Sequence, residues 1–174
     1  MSDHAEQFIA HLLALKERDR GALAALRHSL SFEPGAYPKA FPYVERFAGN
    51  AVHERDARRL ALYAVAGLFA RHPEQAPQSL ASALGELQHR RASTSIEGRF
   101  IALLGADAEN IVDYLRQVIG LLAADSIGCD YAQLLKDLSQ WMNPATDPSR
   151  LRQRWARDYY RVAEAANSDI SDNE

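Results

Sequence analysis

Arginine carries most of the chemistry this sequence could perform. Of its 20 basic side chains 17 are Arg, and only Lys16, Lys39 and Lys136 are Lys. A guanidinium holds phosphate through a planar two-pronged fork that an ammonium lacks. The arginines recur at helical spacing. Arg20 and Arg27 are seven apart, on a face away from Leu23 and Leu30. Arg55 and Arg59 stack at i, i+4. Arg150, Arg154, Arg157 and Arg161 make one stripe opposite Trp155 and Tyr159. Each stripe suits either a solvated exterior balanced by neighbours or a surface that tracks phosphates. A GC-rich genome would also account for the composition, since it raises Arg and Ala together and the chain has 30 Ala.

Other chemistry is thin. The six histidines, at positions 4, 11, 28, 53, 72 and 89, form no HExxH or Cys–His spacing, so no metal site is expected. Nor is a cofactor, since no P-loop, GxGxxG or GxSxG motif occurs. Cys129 is the only cysteine and reads as a small structural residue. The carboxylates interleave with arginine, as in Glu17-Arg18-Asp19-Arg20 and Glu54-Arg55-Asp56. A two-metal phosphodiesterase needs convergent, uncompensated carboxylates instead.

One pair could act on RNA. Arg46 and His53 are spaced as in the Arg-x4–6-His signature of HEPN ribonucleases, which they resemble. That family needs a continuous helix there. Gly49-Asn50 falls inside it, and Gly costs about 1 kcal/mol in a helix relative to Ala.

The elements that must position these residues are helical. Phe8, Leu12 and Leu15 lie on one face of a helix from about Asp3. Asp19 is a predicted N-cap for a helix burying Leu23, Leu26 and Leu30. Pro34, Gly35, Pro38 and Pro42 mark an irregular connection, with a short helix near Tyr43–Phe47. A long helix follows over Glu54–Arg71, and a shorter one over Ser79–Leu87. Thr94-Ser95-Ile96-Glu97 fits a capping box, with Gly105 closing that helix. Further helices are expected around Ile111–Leu122, after Asp130, and from about Pro148.

No segment alternates as a strand does. The expectation is an all-α helical bundle of roughly eight to nine helices. It has an N-terminal part (1–92) and a C-terminal part (93–166), as two small bundles joined through residues 72–94. The net charge is −3, yet the last eleven residues hold four acids and no base. The other 163 residues therefore carry one net positive charge. Residues 167–174 are acidic and polar, which predicts a disordered tail. No apolar run approaches a membrane span, and the N-terminus lacks a signal-peptide pattern, so a cytoplasmic protein is expected.

Ordered segments resemble a specific family. Leu12-Leu13-Ala14-Leu15 followed by Asp19-Arg20-Gly21-Ala22-Leu23-Ala24-Ala25-Leu26-Arg27 is similar to the N-terminal signature of the CasB family. Ile96-Glu97-Gly98-Arg99-Phe100 with Ala102-Leu103-Leu104-Gly105-Ala106-Asp107 resembles its central motif. Tyr114-Leu115-Arg116-Gln117, Asp130–Leu138 with Trp141, and Trp155-Ala156-Arg157-Asp158-Tyr159-Tyr160 resemble the motifs that follow. CasB proteins are the small subunit of the type I-E CRISPR surveillance complex, Cascade.

The resemblance implies an all-α subunit with no catalytic site that serves antiviral defence. Its implied partners are other Cascade subunits, a second copy of itself, the guide RNA (crRNA) and the single-stranded non-target DNA, with no membrane. It would hold the displaced strand of the R-loop and brace the guide–target duplex, since base pairing reads sequence and protein supplies shape and charge. The resemblance assigns nucleic-acid contact to Arg20, Arg27, Arg99, Arg116 and Lys136. His28 stands where the family often has a second Arg, and Gly98 where a basic or polar residue is common.

Overall fold

A computed structural model describes residues 3–49 and 53–171, with side chains to residue 165. The described residues form nine α-helices and no strand. They are α1 (His4–Arg18), α2 (Arg20–His28), α3 (Phe41–Ala48), α4 (Ala57–Arg71), α5 (Leu80–Arg91), α6 (Thr94–Leu104), α7 (Ile111–Ala124), α8 (Tyr131–Trp141) and α9 (Ser149–Ser171). Two 3₁₀ turns, Ser29–Ser31 and Pro38–Ala40, lie between α2 and α3. The all-α expectation therefore holds.

Helix starts follow short polar caps, which satisfy otherwise orphaned amides. Asp19 accepts from the Ala22 amide at 2.9 Å and starts α2. Asp130 accepts from Ala132 and Gln133 at 3.0 and 3.3 Å and starts α8. One expected cap moves by a residue. Ser93, not Thr94, caps α6 by accepting from Ser95 at 3.3 Å. The Glu97 amide instead donates to Gln88 on α5 at 3.2 Å, so a tertiary partner replaces the local capping box.

Helix α4 is the centre. Every residue from Ala61 to Ala70 is buried, with α2, α3, α7 and α8 packed around it. Its small residues permit this. A Cβ on Gly67 would lie 2.7 Å from Leu30 Cδ2, so only glycine lets α2 and its 3₁₀ extension sit this close.

The core does not divide at residue 92. Helix α5, in the expected connection, buries Leu80, Ala81, Ala83, Leu84 and Leu87, and its packing on α9 is the most extensive helix pairing among the described residues. Helix α8 packs on both α4 and α1. The segment before α5 is also sewn down. His72 Nε2 bonds to the Ile127 carbonyl at 2.6 Å, and Tyr131 Oη donates to the His72 carbonyl at 2.6 Å. Gln75 and Cys129 form an isolated bridge. Cys129 is fully buried there, and burial pushes its thiol up to about 12, which keeps it inert. Helix α9 continues to Ser171, whereas the polar composition had suggested an unordered segment from Asn167. Extending an existing helix costs far less than nucleating one. Asp172 and Glu174 of that acidic tail lie outside the described residues.

Helices α1 and α3 meet through a defined histidine. Arg46 Nη2 donates to His11 Nδ1 at 2.9 Å. A guanidinium can only donate, so His11 Nδ1 is unprotonated and its Nε2–H donates to the Tyr43 carbonyl at 2.8 Å. Burial holds His11 below its ordinary value of 6.5; the Tyr43 bond opposes this and the Arg46 charge adds to it. Depression means the unfolded chain binds the extra proton more readily. The stability from neutral His11 is complete above about pH 6.5 and is lost as pH falls through the lower folded-state value. Thermal midpoints measured between pH 7.5 and 5.5 should fall more for the wild type than for His11→Gln. Parallel slopes would show that this contact does not sense pH.

Candidate nucleic-acid interface

The structure divides the arginines into those that face water and those that hold the fold. Arg20 and Arg27 are exposed on α2, and Arg99 is exposed on α6. None of the three has an ion pair among the described residues. Arg20 and Arg27 share one helix, as their spacing predicted.

Arg116 lies half-buried on α7, and its Nη1 donates to the Leu30 carbonyl at 2.8 Å. This brings Arg116 to the end of α2, next to the turn that carries Arg27. One of its five donors is therefore committed to the loop. Lys136 is exposed on α8 but pairs with Asp3, the N-cap of α1. That pair raises the Lys136 value and lowers that of Asp3. Helix α6 packs mainly on α5 and α7, and α8 on α4 and α1. The structure thus brings Arg116 near the C-terminal end of α2, where Arg27 lies, leaves Arg20 at the other end of that helix, and sets Arg99 and Lys136 on other elements.

The other arginine stripes are interrupted. Arg59 is nearly buried at 11% side-chain exposure, and it pairs with Glu45 at 3.1 Å. Its Nη1 donates to the Glu54 carbonyl at 3.0 Å and its Nη2 to the Gly35 carbonyl at 3.3 Å. Tyr63 Oη donates to the same Glu45 carboxylate. Both donors hold Glu45 below the usual carboxylate range, against the raising effect of burial. Arg154 breaks the α9 stripe by pairing with Asp137, which is 5% exposed and buried between α8 and α9. Arg150, Arg157 and Arg161 of that stripe are exposed.

Two basic residues escape sequence reasoning. Arg152 donates to the Ala106 carbonyl at 3.0 Å and lies over the Trp141 ring, 5.7 Å from its centroid. Arg71, at the exposed end of α4, lies against α7, where a Cβ on Gly120 would be 2.7 Å from its Nη2. Gly120 is one helical turn beyond Arg116, so two guanidiniums follow one side of α7. Only the unexplained Gly120 inside an apolar helix hinted at a close approach.

The ribonuclease pair does not assemble on one helix. Helix α3 ends at Ala48, and Gly49 follows with φ +55°; Asn50 lies outside the described residues. Arg46 is engaged by His11, and His53 accepts from the Arg55 amide at 3.0 Å. No cluster of three His, Cys, Asp or Glu fit for a metal occurs among the described residues. No helix there is long and apolar enough to cross a membrane.

The geometry defines an all-α protein with several exposed arginines, among them Arg20, Arg27 and Arg99, that have no ion pair among the described residues. The sequence profile of the family described as CRISPR-associated protein Cse2 matches residues 22–160. A Cse2 protein from Thermus thermophilus is 43% identical over 141 residues, 80% of this chain and 78% of that protein. The crystal structure of CasB from Thermus thermophilus superposes with a TM-score of 0.76 at 41% identity, over 92% of this chain and 99% of that one. The M. ruber CasB structure gives 0.77 at 29% identity, over 98% and 99%. A chain of a CRISPR RNA-guided surveillance complex has the same fold, with a TM-score of 0.82 at 23% identity over 96% and 97%. This chain belongs to the CRISPR-associated Cse2 family, whose members are also called CasB.

Proposed function

We propose that this protein is a non-catalytic, nucleic-acid-binding subunit of a CRISPR RNA-guided surveillance complex, Cascade, acting in the cytoplasm in antiviral defence. It holds the displaced non-target DNA strand of the R-loop and braces the guide RNA–target duplex. Its partners are the other subunits, a second copy of itself, the crRNA and the single-stranded DNA. The observation that carries this reading is the exposure of Arg20, Arg27 and Arg99 without ion pairs among the described residues. An exposed guanidinium with no internal partner is free to meet a phosphate. Such contacts release counterions and need no base-reading code. Arg116 and Lys136 border the same use, each holding the fold with part of its donor set.

Co-purification with the proteins of its neighbouring genes should yield a complex containing a small RNA. Recovery of the protein alone would contradict the assignment. The isolated chain should bind DNA weakly, without sequence preference, and more tightly at about 50 than at 200 mM salt. The double substitution Arg27→Glu and Arg99→Glu should weaken binding and flatten the salt dependence. The fold should hold, because surface changes away from packing stay within about 0.5 kcal/mol. Unchanged affinity with an unchanged salt slope would place the contact elsewhere.

A further inference from the structure

The loop after α2 carries an aromatic group that the core does not use. Phe32 is 45% exposed, among the most exposed large apolar side chains described. Its ring stacks on Tyr37, with centroids 4.8 Å apart and planes 12° from parallel. His28 sets its edge against both rings, at 5.7 and 5.2 Å. This is the position where the resemblance led one to expect a second arginine. Tyr37 is the one ring among the described residues that lies parallel to Phe32, and Phe32 still keeps 45% of its surface exposed.

The loop is braced, so the exposure is built in. Arg116 donates to the Leu30 carbonyl at 2.8 Å, two residues before Phe32. Arg59 donates to the Gly35 carbonyl at 3.3 Å, three residues after it. Gly35 has φ +82°, and a Cβ there would run into the Arg59 guanidinium. The turn is closed by the Phe32 amide on Ser29 and the Ala36 amide on Glu33, both at 3.0 Å. Two arginines from other helices thus hold both ends of a segment whose apolar tip faces water.

The segment that carries the ring holds more cations than carboxylates. Arg27 precedes His28 and is exposed without an ion pair among the described residues, and Lys39 is exposed two residues after Tyr37. Glu33 is the sole carboxylate between residues 27 and 40. An aromatic face beside cations matches an unpaired base and its phosphates, because every base offers a π-face and a backbone charge. A duplex hides its base faces and cannot use the ring.

We propose that Phe32, stacked on Tyr37 and flanked by Arg27 and Lys39, is a stacking site for one unpaired base of a single-stranded nucleic acid. The proposal rests on the nucleic-acid reading above and adds to it a preference for single strands over duplex. Phosphate contacts alone do not supply that preference.

The test is fluorescence anisotropy of the full chain with a labelled oligodeoxythymidine strand, the same strand made abasic, and a duplex of equal length. Phe32→Ala should weaken binding of the thymidine strand by about tenfold and leave duplex and abasic binding within about twofold. Phe32→Trp should restore the affinity, and the added indole fluorescence should be quenched by the thymidine strand. Arg27→Glu should weaken all three probes. Equal affinity of Phe32→Ala and wild type for the thymidine strand overturns the site, as does an equal loss on all three probes. A Phe32→Ala protein that binds DNA normally but no longer joins its partner subunits makes the ring a protein contact, which also overturns it. No salt-sensitive binding of the wild type to any probe would remove the nucleic-acid reading itself, and this site with it.

Discussion

Trp155→Ala is expected to lower stability by about 4 kcal/mol, a large part of the roughly 5–15 kcal/mol that holds a domain together. Trp155 is 3% exposed, and its ring lies 5.0 Å from that of Trp141. Truncation removes apolar contacts and leaves a cavity that the rigid α8–α9 contact cannot close. It also removes a donor. Trp155 Nε1 donates to Asp137 Oδ2 at 2.8 Å, and Asp137 is buried. Gln133 at 3.0 Å and the Arg154 ion pair would remain to hold that carboxylate. Trp155→Phe loses the donor and part of the ring volume, so it should cost less than the alanine, about 1–3 kcal/mol. Urea denaturation of the three proteins measures both terms. Equal midpoints for wild type and Trp155→Ala would show that this stripe does not hold α9 to α8.

Gly85→Ala should destabilise the protein by about 1–3 kcal/mol, although alanine favours a helix by about 1 kcal/mol over glycine. Gly85 lies inside α5, where that helix crosses α9. A Cβ there would be 2.6 Å from the Tyr159 carbonyl oxygen and 3.0 Å from Val162 Cβ. The obstacle is backbone and cannot rotate aside, so α5 and α9 must move apart along their shared surface. Gly98 provides the opposite case in the same fold. It is exposed within α6, and a Cβ there meets nothing within 4 Å. Gly98→Ala should therefore stabilise by about 0.5–1 kcal/mol. The two substitutions are chemically identical, so opposite shifts in thermal midpoint isolate the α5–α9 approach. A rise in midpoint for both would show that the two helices have room to spare.

Much of this architecture was legible in short stretches of sequence. Helix α2 could be placed because Asp19 is a cap that acts three residues away, and Leu26 repeats at the helical period. The same holds for α8, with Asp130 before Leu134, Leu138 and Trp141. Caps and periodicity act within a turn or two of chain, so local residues suffice. For α5 the sequence marks a short helix over Ser79–Leu87 inside the expected connection, but not how deeply it is buried, because that burial comes from α9, far along the chain.

The arginines show the boundary most clearly. Their spacing put Arg20 and Arg27 on one face, and that face is open to water. Spacing could not tell which guanidiniums would turn inward. Arg116 finds its acceptor at Leu30, 86 residues away, Arg152 finds Ala106, 46 away, and Arg59 finds Gly35, 24 away. Each acceptor is a backbone carbonyl, which every residue possesses, so no side-chain pattern marks it. Phe32 is the converse. Its type predicts burial, and only the braced loop between α2 and α3 leaves its ring facing water. Sequence alone determined the helices and most of the buried stripe, because those depend on neighbours along the chain. Tertiary structure decided which charges hold the fold and which remain for a ligand, because a long side chain reaches whatever the packed helices bring beside it.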